Sequence, residues 1–129
     1  MMRITRGREM GIVSDVELVM MCRDRLIDMR RRTEEIELLK RSREQLPEAS
    51  AYLDETIREA EGTLRSMRRD FPVLVGRAMD ALKRLPRQER RVMMLYYVVG
   101  LSLKEITNEV HYSVRHVQKM KKAGLDMLR

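Results

Sequence analysis

Ser102-Leu103-Lys104-Glu105-Ile106-Thr107-Asn108-Glu109-Val110-His111-Tyr112-Ser113-Val114-Arg115-His116-Val117-Gln118-Lys119-Met120 encodes two helix starts eleven residues apart. Ser102 to Glu105 fits a capping box, in which the serine oxygen accepts an early backbone N–H and the glutamate reaches back to the cap. The helix it opens is short, with Leu103, Ile106 and Val110 inward, and it stops at His111-Tyr112. Ser113 then caps a last helix, with Val117, Met120, Leu125 and Leu128 inward. Just upstream, an apolar helix ends at Val99-Gly100, where glycine takes the left-handed conformation of a helix stop. A short helix that meets a longer one through a turn of about three residues is a helix-turn-helix.

That geometry carries a chemical expectation. The second helix of such a pair lies in the major groove of duplex DNA and reads bases with its N-terminal residues. Its outward residues here are Arg115, His116, Gln118, Lys119 and Lys122. Arg and Lys suit the acceptors of guanine, and Gln suits the donor–acceptor edge of adenine. Ser102 and Ser113 stand at helix N-termini, whose N–H groups favour phosphate. Lys104 and Lys121 are further candidates for phosphate contacts. The bland alternative is a solvated helix face, and the capped short helix in front of it decides for DNA.

Working outward, the charge agrees. The chain of 129 residues carries a net +7, and residues 85–129 hold nine Lys or Arg against four Asp or Glu, a balance of +5. A basic terminal segment suits a polyanion. Charged residues make up 36%, against about 25% in an average domain. With 6 Gly, 3 Pro, no Trp, one Phe and 12 Met, the composition predicts long helices with narrow apolar seams.

The first such helix starts at Ser14, where Ser14 to Glu17 forms another capping box. Val19, Cys22, Leu26, Met29, Thr33 and Ile36 follow in alternating steps of three and four, a heptad seam, with Arg23 among the charged outer residues. Pro47 ends this helix near Gln45 and opens a second to about Arg69, with Ala49, Leu53, Thr56, Ala60, Leu64 and Met67 as its seam. The short connection makes the pair an antiparallel, coiled-coil-like hairpin. Two facing stripes rarely satisfy a hairpin this long, so we expect self-association or packing onto the C-terminal part. Phe71-Pro72 predicts the next boundary, Pro86 the one after, and Arg87–Val98 a further helix. No β-like alternation occurs, so the chain reads as all-α. Residues 1–13 read as a flexible basic arm, 14–70 as the helical hairpin, and 71–129 as a four-helix DNA-binding domain.

Several classes are excluded or disfavoured. One cysteine, Cys22, allows neither an internal disulfide nor a cysteine-rich zinc site. The longest uncharged stretch, Val92 to Leu103, is far short of the roughly 20 apolar residues of a membrane span. No signal peptide is recognisable, so a cytoplasmic protein is expected. His111 and His116 do not share a helical face, no phosphate loop is present, and the carboxylates are interleaved with arginines. We therefore expect no enzyme, no cofactor and no metal. Tyr96 and Tyr97 are expected to pack.

Leu85-Pro86-Arg87-Gln88-Glu89-Arg90-Arg91-Val92 is similar to the LPxxERxV stretch that opens region 4 of bacterial sigma factors. Leu95 to Ser102 resembles its LxYxxGxS continuation, and Glu105-Ile106 with Ser113 matches the EI…S pattern of its helix-turn-helix. The resemblance covers roughly residues 72–129 and implies a sigma region 4-like domain that binds double-stranded DNA, with RNA polymerase as a further partner. Two residues depart from the pattern. Thr107 replaces the usual Ala and needs a partner for its hydroxyl, and His111 replaces the Gly or Asn common in the turn. No segment resembles region 2. A charged hairpin followed by such a domain resembles small phage late-gene regulators of the RinA/ArpU kind. The resemblance therefore implies a sequence-specific transcriptional regulator of phage or prophage. From the long seam we expect the hairpin to form a homodimer or to meet another protein, and from the hydropathy no membrane attachment. The alternatives are a structural assembly protein such as a small terminase subunit, or a protein-only module that binds RNA polymerase.

Overall fold

The computed structural model describes residues 13–129, so the basic arm expected over 1–13 lies, except for Val13, outside the described residues. Five α-helices follow in order: α1 Asp15–Gln45, α2 Ser50–Leu82, α3 Arg87–Met93, α4 Leu103–Val110 and α5 Val114–Leu128. A 3-10 turn, Pro47–Ala49, joins α1 to α2, and a π-helical turn, Met94–Val99, continues α3. Among the described residues there is no strand. The all-α expectation, with a helical hairpin ahead of a helix-turn-helix, therefore holds.

α1 begins as its sequence dictates. Ser14 Oγ accepts from the Glu17 N–H at 3.1 Å, and Glu17 Oε1 accepts from the Ser14 N–H at 3.1 Å. The two reciprocal bonds satisfy donors that a helix start leaves without intrahelical partners. At the other end, Pro47 has no N–H to continue the helix, and the chain turns there.

The residues divide into two compact units. One is Asp24–Val73, the arms of the hairpin. Its pairings run antiparallel: Arg68 meets Thr33, Lys40 meets Glu61 at 3.1 Å, and Arg43 meets Asp54 at 2.8 Å. Met29, Ile36, Ile57 and Leu64 are buried along the seam, with Leu26, Leu39, Leu53, Ala60, Met67 and Phe71 packed against them. The expected seam of α2 needs correction at two positions. Thr56 is exposed and gives its hydroxyl to the Tyr52 carbonyl at 3.2 Å, while its neighbour Ile57 is buried. Leu53, Ile57, Ala60, Leu64, Met67 and Phe71 keep steps of four and three without a slip. Burying Ile rather than Thr removes more apolar surface from water and strands no hydroxyl. Ala49 lies in the 3-10 turn, before α2 starts.

A second expectation fails at Pro72. The helix does not stop there; α2 runs through it for 33 residues. An internal proline removes one N–H and crowds the carbonyl four residues back, at a cost of about 3 kcal/mol or more. The packing on either side offsets that cost. Met67 and Phe71 are held in the hairpin seam, and Leu74, Ala78, Ala81 and Leu82 are buried beyond the proline.

The other unit consists of the described residues up to Arg23 together with Leu74–Arg129. Leu18, Val19 and Cys22 of α1 are buried, and the Cys22 thiol donates to the Leu74 carbonyl at 3.7 Å. Arg84 binds Asp15 and also reaches the Leu128 carbonyl at 3.5 Å. Val92, Ile106, Val110, Val117 and Met120 form the core cluster of the last three helices. On α5 the buried positions are Val117, Met120, Gly124 and Leu128, and Leu125 is only half-buried.

Gly124 of α5 packs directly on Met93 of α3. A Cβ built there would lie 2.7 Å from Met93 Cγ and 2.9 Å from its Sδ. Met93 is wholly buried and has no solvent to swing into. Gly124→Ala gains about 1 kcal/mol of helix propensity. Overpacking costs typically about 1–3 kcal/mol. We expect net destabilisation, read as a lower thermal midpoint. In a Met93→Ala background, where the clash is gone, the same substitution should become neutral or stabilising.

Candidate nucleic-acid interface

α4 starts with the capping box its sequence announces. Ser102 Oγ accepts from the Glu105 N–H at 3.1 Å, and Glu105 Oε1 accepts from the Ser102 N–H at 2.8 Å. α4 ends at His111, the one non-glycine residue with positive φ among those described (φ 59°, ψ 34°), whose N–H bonds to the Thr107 carbonyl at 2.9 Å. Such a conformation is uncommon outside glycine, though His is among the better tolerated. The Thr107 hydroxyl finds its partner one turn back, donating to the Lys104 carbonyl at 2.6 Å. Three residues, His111, Tyr112 and Ser113, then join α4 to α5.

Ser113 caps α5 by accepting from the His116 N–H at 3.1 Å. The two helix starts differ electrostatically. α4 carries Glu105 in its first turn, whereas α5 carries no acidic residue there. Both a carboxylate and a phosphate are favoured at a helix N-terminus, so Glu105 competes for the place a phosphate would take at Ser102. The start of α5 has no such competitor.

Helical spacing gathers Arg115, Gln118, Lys119 and Lys122 on one exposed face of α5, opposite the buried Val117, Met120 and Gly124. Asp126, which pairs with Arg129 at 3.8 Å, ends the basic run. His116 is exposed on the flank, its ring edge-on to Tyr112 with centroids 4.6 Å apart. Lys104 is exposed on the first turn of α4. Lys121 is turned elsewhere. It is half-buried, with its ammonium 4.4 Å from the centroid of the Tyr96 ring. Of the nine residues singled out from the sequence, four share the central face, Ser113 caps the same helix, His116 lies on its flank, and Ser102 and Lys104 are exposed at the start of α4. Lys121 packs against Tyr96 instead.

The support behind this face includes a residue that sequence reasoning assigned to a solvated surface. Arg23 of α1 donates through Nη1 to the carbonyls of Tyr96, at 2.7 Å, and Leu101, at 3.1 Å. Its guanidinium carbon lies 3.8 Å from the Tyr96 ring centroid. The Leu95 carbonyl accepts from both the Gly100 and Leu101 N–H groups, with Gly100 left-handed at φ 86°. The cation therefore takes one carbonyl of the π-helical turn, that of Tyr96, and one just past its Gly100 stop, that of Leu101. Arg91 does the same for α4, reaching the Glu109 carbonyl at 3.4 Å. Nothing in local spacing marks Arg23 for this role. The only cue is its place directly after the seam residue Cys22.

Among the described residues, no helix is long and apolar enough to cross a membrane, and no group of His, Cys, Asp or Glu is arranged to hold a metal ion.

A capped short helix, a three-residue turn and a longer helix with a basic outer face define a helix-turn-helix. Residues 81–129 match the family described as Sigma-70, region 4, and this segment is a sigma region 4-like helix-turn-helix. No curated protein and no solved structure matches the chain.

Proposed function

We propose that the protein is a sequence-specific transcriptional regulator, not an enzyme, and that it docks α5 in the major groove of double-stranded DNA. The observation that carries this reading is the exposed face of Arg115, Gln118, Lys119 and Lys122 on the second helix of a sigma region 4-like pair. Arg and Lys offer donors to guanine, Gln offers a matched pair to adenine, and the N-terminus of α5, without a carboxylate, seats a phosphate. The hairpin is the association element that brings two copies together. The region 4 likeness extends the reading to contact with RNA polymerase, and the order of hairpin and helix-turn-helix extends it to phage or prophage late-gene control in the cytoplasm.

The test is a fluorescence-anisotropy titration against random-sequence duplex DNA at several salt concentrations. About five phosphate contacts should give a log–log slope of affinity against salt of about −4 to −5. Weak binding with a flat salt response would overturn the reading.

A further inference from the structure

α1 carries a second seam that its own hairpin leaves uncovered. Ile27 and Leu38 are exposed, at 38% and 57%, although each is a large apolar side chain. They lie on one face of α1 with the exposed Asp24, Arg31, Glu34 and Arg41. The order is Asp24, Ile27, Arg31, Glu34, Leu38, Arg41, in steps of three and four, which is again a heptad seam. The ion pairs of α1 inside the hairpin use other residues, Asp28 with Arg32, Lys40 with Glu61 and Arg43 with Asp54.

The chemistry of this seam is self-complementary in one direction only. An antiparallel second copy of α1, related by a two-fold axis passing between residues 32 and 33, sets Asp24 opposite Arg41, Ile27 opposite Leu38 and Arg31 opposite Glu34. The two-fold repeats each layer with the copies exchanged, as an isologous interface requires. Every layer is then either apolar on apolar or acid on base. A parallel, in-register copy would instead set Asp24 on Asp24, Arg31 on Arg31, Glu34 on Glu34 and Arg41 on Arg41, four layers of like charge.

We infer that the outer face of α1 is a homodimer interface, in which the Asp24–Arg41 segments of two copies pack antiparallel. This deepens the reading of the hairpin as an association element and does not depend on DNA docking. The Ile27–Leu38 layers supply the apolar contact, and the charged layers fix direction and register, because exposed ion pairs add little affinity while like-charge layers oppose the wrong alignment.

Sedimentation equilibrium of the full chain without DNA tests it. The wild type should dimerise reversibly. Glu34→Arg sets Arg against Arg in two layers and should weaken the dimer at least about tenfold. Arg31→Glu should do the same. The double variant Arg31→Glu/Glu34→Arg restores opposite charges in both layers and should recover the dimer. All of these positions are exposed, so helicity by circular dichroism should be unchanged throughout. Under mild oxidation Ile27→Cys/Leu38→Cys should form an intermolecular disulfide and Ile27→Cys alone should not.

A wild type that stays monomeric overturns the inference. So does a dimer indifferent to Glu34→Arg, a double swap that fails to recover it, or ready cross-linking of Ile27→Cys alone, which would mean parallel pairing. A monomer that still binds DNA with a steep salt dependence would remove the dimer interface and leave the DNA reading standing. A dimer without DNA affinity would do the reverse.

Discussion

Replacing Arg115 and Lys119 together by alanine should weaken binding to duplex DNA by at least about 30-fold, since each base contact is worth about 1–3 kcal/mol and 1.4 kcal/mol is tenfold. The two side chains sit one turn apart on the exposed face of α5, within the first two turns, where a recognition helix meets base edges. Neither is part of the core cluster, so stability should move by no more than about 0.5 kcal/mol. The salt dependence separates the two kinds of contact. A residue bound to phosphate lowers the log–log slope by about 0.9 on removal. A residue bound to a base edge leaves the slope and instead relaxes sequence preference at its position. Lys121→Ala is the internal control: the same charge is lost from the same helix, but that ammonium lies over Tyr96, not on the exposed face. A folded double variant with unchanged DNA affinity would remove α5 as the reading element.

The parts of this molecule legible in the sequence are those that local rules decide. Capping boxes at Ser14 and Ser102, the serine cap at Ser113 and the left-handed stop at Gly100 are each fixed by a few adjacent residues, and each stands where its residues indicate. The inward faces of α4 and α5 followed from periodicity for the same reason, except that Gly124 is buried where Leu125 was expected, and so did the exposed basic run. Pro72 shows where local rules lose. Its preference for a helix start is worth less than the packing of Phe71 on one side and Leu74 on the other. The seam placed on Thr56 repeats a step of four between Ala60 and Leu64, a slip that Ile57 removes, and Ile57 is the side chain that is buried. Arg23 and Lys121 were misplaced because charge was read as exposure. Both have long apolar stems and a cation that an aromatic ring accepts, so partial burial over Tyr96 satisfies them. That arrangement joins residues more than 70 positions apart, which no local window contains.

Arg23→Ala should be among the most damaging single changes outside the apolar core, at about 2–4 kcal/mol, because hydrogen bonds from a charged donor are each worth about 1.5–3 kcal/mol and partial exposure discounts them. One guanidinium nitrogen holds the carbonyls of Tyr96 and Leu101 together, on either side of Gly100. Leu101 and Ser102 lead directly into α4, so the side chain fixes the entry of the helix that positions the turn before α5. The segment that matches region 4 begins only at residue 81, yet the compact unit that contains it includes Arg23. A fragment that starts at residue 81 should therefore melt below the full chain even though it holds the whole helix-turn-helix. The contributions of Arg23 can be separated. Tyr96→Phe keeps both ring and carbonyl and should be nearly silent. Tyr96→Ala keeps the carbonyl but loses the stack and part of the core packing, and should fall well below it. Arg23→Lys keeps the charge, but a compact ammonium lacks the planar face that stacks on a ring, and should recover only part of the loss. Thermal denaturation of these four variants and the fragment gives the ranking. Should Arg23→Ala melt within about 0.5 kcal/mol of wild type, the range of an ordinary surface substitution, the arginine decorates the π-helical turn without holding it.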